Sequence, residues 1–117
     1  YRKNFILLFN AILQPLRREE YSEKTTESFY KRDTLTVARE LIGKYISHTV
    51  NNQKLICRIT ETEAYTGIHD KACHAYGGRH TERTEALYLC GGYAYVFLIY
   101  GMHYCMNVVT EQQGTPC

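Results

Sequence analysis

Two glutamates that stand two positions apart, Glu61 and Glu63, have the residue type and spacing for acid–base chemistry. We predict that they end a β-strand, where alternate side chains share a face and these two backbones lie roughly 6.6 Å apart. Paired carboxylates can divide the acid and base work of glycosidic bond hydrolysis. Because a solvated polar strand face has the same pattern, the spacing alone leaves both interpretations open.

A long segment, residues 66–92, follows this pair and is rich in Gly, His, Thr and charged residues. Loops of this length in a compact domain are usually functional. His74 lies in it and is either a structural hydrogen-bonding group or part of a site. Arg79 and Arg83 could contact phosphate groups, although a solvated loop would have the same charges.

The residues before Glu61 and Glu63 predict the helix and strands that position these two glutamates. Asp33 is a good N-cap for a helix, whose apolar residues recur at helical spacing and which Gly43 ends. These apolar residues are Leu35, Ala38, Leu41 and Ile42. Strands at 45–50 and 54–63 then form a hairpin around a turn at 51–53.

A second hairpin is predicted from strands at 93–100 and 103–110, which are dense in β-branched and aromatic residues, with Gly101 at the turn. Its tip carries Tyr100 and Met102, which could insert into a base stack or pack on a partner surface. The expected fold is α+β, with a mixed, mostly antiparallel sheet, a protruding β-hairpin and a flanking helix.

The 117 residues and net charge of +2 suit one mildly basic domain. We expect residues 1–28 to be an N-terminal extension or linker and residues 29–117 to be part of the folded domain. The run at 5–9 is too short to span a bilayer. Five cysteines, an odd number without a Cys-x-x-Cys motif, favour reduced thiols over a disulfide scaffold. A zinc site from His69, Cys73 and His74 has the wrong spacing for known fingers.

Three segments in register resemble the alkyladenine (3-methyladenine, methylpurine) DNA glycosylase family. They are RITETEAY at 58–65, CHAYGGR at 73–79 and YVFLIYGMHYCMN at 95–107. The resemblance runs from about residue 29 to residue 117. In that family a damaged purine is flipped out of double-stranded DNA and its N-glycosidic bond is hydrolysed by an activated water.

The resemblance assigns roles residue by residue. Glu63 matches the general base, whereas Glu61 is left a structural or supporting role. Tyr65, His74 and Phe97 match the residues that stack on the flipped base, with Phe97 replacing a position that is often Tyr. Asn107 matches the residue that repels the exocyclic amine of guanine. The expected DNA contacts are Tyr100, which fills the gap left by the flipped nucleotide, Met102, Arg79 and Arg83.

The resemblance implies no metal, no organic cofactor, no Schiff base and no membrane. We expect a monomer that acts on damaged duplex DNA, in the cytoplasm (the bacterial nucleoid) or in a nucleus. The family's sheet and pocket continue beyond the region matched here, so we expect this chain to be an N-terminal half without all of the water-holding groups.

Two alternatives remain. The first is an inactive or truncated relative that binds DNA and still inserts Tyr100. The second is a glycosidase acting on a sugar polymer through Glu61 and Glu63. Sugar clefts of that kind are lined by Trp, and this chain has none.

Overall fold

The computed structural model describes residues 23–117. The interpretation of residues 1–22 as extension or linker lies outside these residues. The helices are α1 (Glu27–Tyr30) and α2 (Thr34–Leu41). The strands are β1 (Tyr45–Val50), β2 (Gln53–Arg58), β3 (Ala94–Ile99) and β4 (His103–Val108). The predicted α+β class is confirmed, and within the described residues the strands pair as two antiparallel hairpins, β1–β2 and β3–β4.

Helix α2 begins at the predicted cap. The Asp33 carboxylate accepts hydrogen bonds from the Thr36 amide at 2.9 Å and from the Thr36 hydroxyl at 2.8 Å, which satisfies one of the free amides of the first turn. Gly43 follows the helix with a φ of +83°, the left-handed conformation that glycine adopts without strain. The predicted buried face is partly wrong. Val37, Ala38 and Leu41 are buried, whereas Ile42 lies beyond the helix and is exposed.

The first hairpin turns at Asn51 and Asn52, both in the left-handed region, and pairs Tyr45 with Arg58 at its open end. The prediction that the second strand continues to residue 63 is wrong. Ile59 makes the last two backbone hydrogen bonds beyond the end of β2. Its amide donates to the Lys44 carbonyl and its carbonyl accepts from the Gly43 amide, each at 2.8 Å. Before Gly43 the chain is helical, so residues 60–66 have no partner strand and no regular secondary structure.

The second hairpin has the predicted strands within two residues at each end. Its inner face carries Tyr95 and Phe97 of β3 opposite Asn107 and Cys105 of β4, and all four are buried. The alternate residues point outward, which is the period-two pattern of a strand with one solvated face.

Two hydrophobic clusters form the core. The first contains Val37, Ala38 and Leu41 of α2 with Ile59 and Ala64. The second contains Cys73, Ala75, Leu87, Tyr95, Phe97, Cys105 and Val109. Tyr65 packs against both clusters. The segment at 59–66 therefore lies where the helix and the second hairpin meet.

Residues 109–117 connect the end of β4 to the start of α2. The Thr110 and Thr34 hydroxyls lie 2.7 Å apart, and the Glu111 carboxylate accepts a hydrogen bond from the Thr34 amide at 2.9 Å. The Thr110 amide donates to the Cys117 carbonyl at 3.1 Å. These contacts between residues distant in sequence place Thr34 and Cys117 on the same side of the molecule.

The region between the hairpins, 66–92, is a compact loop with three short 3₁₀ turns. Asp70 orders its start, because the two carboxylate oxygens accept hydrogen bonds from the Thr66 and Ala72 amides. Cys73, Ala75 and Leu87 are buried in the second cluster, so this loop is part of the core. Over residues 23–117 no helix is long and apolar enough to cross a membrane.

Candidate active site

Glu63 lies on the irregular segment after β2, not on a strand face as predicted. Ala64 is buried next to it, and the Thr62 hydroxyl donates to the Ala38 carbonyl of α2 at 2.9 Å. The segment is thus fixed on both sides of the carboxylate. Glu61, by contrast, is exposed to solvent, so the structure separates the environments of the two glutamates.

One carboxylate oxygen of Glu63, Oε2, is buried and has no hydrogen-bond partner among residues 23–117. Burial raises the pKa of Glu63 above the usual value for Glu, and the charge of Glu61 raises it further. A carboxylate with a raised pKa is a stronger base once it is ionised. Burying an unpaired carboxylate lowers the stability of the folded protein. Groups of this kind are often found at functional sites, which favours a functional interpretation of Glu63.

A pocket of about 430 Å³, including the part open to solvent, lies between α2, the loop and the inner face of the second hairpin. The lining is largely apolar and aromatic and consists of Thr34, Tyr65, Cys73, His74, Leu87, Tyr95, Phe97, Asn107, Val108 and Cys117. All four predicted stacking and specificity residues, Tyr65, His74, Phe97 and Asn107, are brought together here. Glu63 itself is not in the lining.

Tyr65 connects the glutamate to this pocket. Its burial raises the pKa of the phenol to about 12, and the charge of Glu63 contributes to that shift. The hydroxyl therefore stays protonated at neutral pH, and the ring is an uncharged wall of the pocket.

Aromatic rings from the loop and from β3 make another part of the lining. The centroids of His74 and Phe97 are 4.7 Å apart with the rings at 68°, and the ring of Tyr95 stacks on Phe97 at 5.0 Å. A hydrogen bond of 2.8 Å joins His74 Nδ1 to the Tyr95 hydroxyl. Flat rings held in this way can stack on a planar heterocycle and attract a cationic one.

Asn107 contributes the main polar group of β4. It is 7% exposed, and its Oδ1 has no hydrogen-bond partner in the part of the chain that the structure describes. A buried, unpaired amide oxygen helps to determine which ligand groups can be accommodated, because a ligand must either donate a hydrogen bond to it or leave it unsatisfied.

The predicted DNA contacts lie outside the pocket. Tyr100 and Met102, at the tip of the second hairpin, are 86% and 71% exposed. Arg79 and Arg83 are exposed on the loop. Burial lowers the pKa of His74, and the positive charges of Arg83 and Arg79 lower it further.

The sequence interpretation missed Tyr95. Its position two residues before Phe97 on one strand was a usable signal, because such residues share a face. Thr34 and Cys117 were also missed. No local pattern marks them, since the long-range contacts of residues 109–117 with α2 bring them to the pocket.

The alternative zinc site is not formed. Across residues 23–117, no three His, Cys, Asp or Glu side chains are grouped so that they could hold a metal ion. The five cysteines are free thiols in the structure, and Cys73 and Cys105 are the buried ones.

Known proteins similar to this chain belong to one family. Residues 28–117 match the family model described as methylpurine-DNA glycosylase. A protein of Desulfitobacterium hafniense is 58% identical over 88 residues, which are 75% of this chain and 43% of that protein. Its curated name is "Putative 3-methyladenine DNA glycosylase".

Two further relatives have the same name. The protein of Clostridium acetobutylicum is 57% identical over 93 residues, covering 80% of this chain and 45% of that protein. The protein of Natranaerobius thermophilus is 53% identical over 93 residues, covering 80% and 47%. The chain thus spans about half the length of the curated relatives it matches. On the match over residues 28–117, the chain belongs to the methylpurine-DNA glycosylase family.

Proposed function

We propose that the protein removes alkylated or deaminated purines from double-stranded DNA by hydrolysing the N-glycosidic bond, with Glu63 as the general base. The observation that carries this proposal is the partly desolvated, unpaired carboxylate of Glu63, which stands two residues before Tyr65 in the lining of an aromatic pocket. The names of the relatives, which specify 3-methyladenine and DNA, support the substrate class.

The chemistry needs an extrahelical base, because the sugar–base bond is inaccessible inside a stacked duplex. The purine enters the pocket and stacks on Tyr65, His74 and Phe97, which line it. The oxygen of a water then forms a bond to C1′ of the sugar as the bond from C1′ to the purine nitrogen breaks. The leaving purine takes the bonding electron pair, and Glu63 takes the proton of the water.

A carboxylate next to the reacting sugar has a second effect. The transition state of glycosidic cleavage has oxocarbenium character, so the negative charge of Glu63 stabilises the positive charge that develops there. An alkylated purine that is cationic leaves as a neutral base, and aromatic walls favour that cation in the ground state. Asn107 excludes guanine by a steric clash with its exocyclic amine, a discrimination by an unfavourable contact.

DNA binding outside the pocket is assigned to the hairpin tip and the loop. Tyr100 and Met102 are exposed at the tip, and Tyr100 enters the space that the flipped nucleotide leaves, as the apolar wedges of minor-groove proteins do. Arg79 and Arg83 contact the phosphate backbone. The protein acts as a monomer on the chromosome, in the bacterial nucleoid or in a nucleus.

The competing function is binding to damaged DNA without base release. It is favoured by the position of Tyr100, which is far more exposed than any pocket residue and could insert without help from Glu63. The two functions are separated by incubating the full-length protein with duplexes containing hypoxanthine or a methylpurine. Release of free base supports the glycosylase. A gel shift specific for the damaged duplex, with no released base, supports binding alone.

A further inference from the structure

We propose that Thr34 limits the size of the base that the pocket accepts, and that Glu111 and Thr110 are positioning residues that hold Thr34 in the lining. The nature of the ligand, a purine base, rests on the proposed function. None of the three residues belongs to the set that stacks on the base. Hydrogen bonds between the start of α2 and the segment after β4 join them.

The hydroxyl of Thr34 has two hydrogen-bond partners. It donates to the Glu111 carboxylate at 3.2 Å and lies 2.7 Å from the Thr110 hydroxyl. Because a carboxylate only accepts, the proton of Thr34 goes to Glu111, and the Thr110 hydroxyl donates to Thr34. Both threonines are buried, Thr110 completely, so water does not compete for the bond between them.

Thr34 lines the pocket, whereas neither Glu111 nor Thr110 is part of the lining. The bonds to these two residues therefore direct the Thr34 hydroxyl away from the pocket and leave the Cγ2 methyl as the side-chain group that faces it. A methyl group fills space and offers no hydrogen bond. Thr34 thus limits the size of a bound base and does not recognise a polar group on it.

The backbone of Glu111 is held in an unusual conformation. Its φ is +67°, in the left-handed region that residues other than glycine rarely adopt. The amide donates to the Tyr30 carbonyl at 3.1 Å, and the carbonyl accepts from the Gly91 amide at 3.0 Å. The carboxylate accepts from the Thr34 amide at 2.9 Å. A backbone of this kind persists only where its surroundings determine it, which is common near functional sites.

Thr110 connects a second lining residue to Thr34. Its amide donates to the Cys117 carbonyl at 3.1 Å, while its hydroxyl bonds to that of Thr34. Thr34 and Cys117 both line the pocket, so one fully buried threonine holds two parts of the lining. Contacts outside the pocket therefore fix this wall, and a larger base can push Thr34 aside only by breaking them.

The size limit is tested with duplexes that contain a methylpurine or the corresponding ethylpurine. Gel shifts use the full-length protein with Glu63→Gln, so that the base stays on the DNA, and this parent should prefer the methylpurine. Thr34→Ser keeps the hydroxyl and removes the methyl, so the preference should fall by about 10-fold, the value of one methylene in an apolar pocket. Thr34→Val has a methyl at both positions and should retain the preference. No preference in the parent, or an unchanged one in Thr34→Ser, would overturn the proposal.

Glu111 has a matched control in Gln112, whose side chain also bonds to the chain before α2 but donates to the Lys31 carbonyl, at 3.1 Å. Glu111→Ala removes the acceptor of the Thr34 amide and should lower the preference for the methylpurine. Glu111→Gln keeps an acceptor oxygen and should retain the preference, as should Gln112→Ala. A lower melting temperature in Glu111→Ala with an unchanged preference would contradict the positioning role, and so would equal losses of preference in Glu111→Ala and Gln112→Ala.

The proposed function is measured separately, as release of the methylpurine by the full-length wild type, which retains Glu63. If the gel shifts are as expected and no base is released, the size limit at Thr34 stands and the proposed hydrolysis fails. If base is released and the preference is the same in every Thr34 and Glu111 variant, the hydrolysis stands and the size limit fails.

Discussion

Glu63 and Tyr65 lie two positions apart on the segment after β2, and burial, then the charge of Glu63, raise the pKa of the Tyr65 phenol. The carboxylate oxygen is buried without a partner in the described part of the chain, whereas the Tyr65 ring lines the pocket. The segment thus carries, two residues apart, a carboxylate without a hydrogen-bond partner and an aromatic ring of the pocket lining. This relationship leads to the predictions on Glu61 and Glu63.

The first prediction concerns the pH dependence of base release. A general base works only when ionised, so the rate should rise with pH through the pKa of Glu63, which lies above the usual value for Glu. Glu61→Gln removes a negative charge that raises that pKa. The acidic limb of the pH–rate profile should therefore move to lower pH in Glu61→Gln, with the rate near neutral pH within a few-fold of the wild type. A limb that moves to higher pH would be inconsistent with this electrostatic coupling.

The second prediction concerns stability. Because burial raises the pKa of Glu63 in the folded state, its ionised form is less stable there than in the unfolded chain. The stability that Glu63 contributes is thus present below its unfolded pKa and is lost as the pH rises through the folded pKa. Glu63→Gln should raise the free energy of unfolding at neutral pH by up to about 1 kcal/mol. Denaturant titration at neutral and at acidic pH measures this, and the gain should disappear at acidic pH.

The third prediction separates the hairpin tip from the core. Tyr100 is 86% exposed and touches neither core cluster. Tyr100→Ala should lower base release from duplex DNA by at least about 10-fold through the loss of stacking, which is worth about 1–3 kcal/mol, while the melting temperature changes little. Tyr104→Ala is the matched control, because Tyr104 is 76% exposed on the same hairpin but away from its tip. Equal losses in the two variants would count against insertion by Tyr100.

The sequence predicted a helix or strand correctly where contacts between residues close in sequence determine it. The Asp33 cap places the start of α2, and period-two alternation places Tyr95 and Phe97 on one buried face. Alternation could not show where β2 ends, because pairing stops at the last residue with a partner on β1. Tyr45 pairs with Arg58, so Glu61 and Glu63 lie beyond the strand although the sequence continues to alternate.

The pocket was predictable only in part. Tyr65, His74, Phe97 and Asn107 were identified through a family resemblance, and their roles remain predictions, although the structure gathers them in one place. Thr34 and Cys117 reach the pocket through hydrogen bonds between α2 and residues 109–117. Contacts between residues so distant in sequence leave no periodic signal, and for that reason composition and spacing could not reveal them.

The most direct test of the central claim is single-turnover release of hypoxanthine from duplex DNA by the full-length wild type, Glu63→Gln and Glu61→Gln. If Glu63 is the general base, Glu63→Gln should still shift the damaged duplex in a gel but should release base about 10²–10⁴-fold more slowly. Glu61→Gln should remain within a few-fold of the wild type. Release by Glu63→Gln at the wild-type rate would contradict the assignment of Glu63 as the base that activates the water.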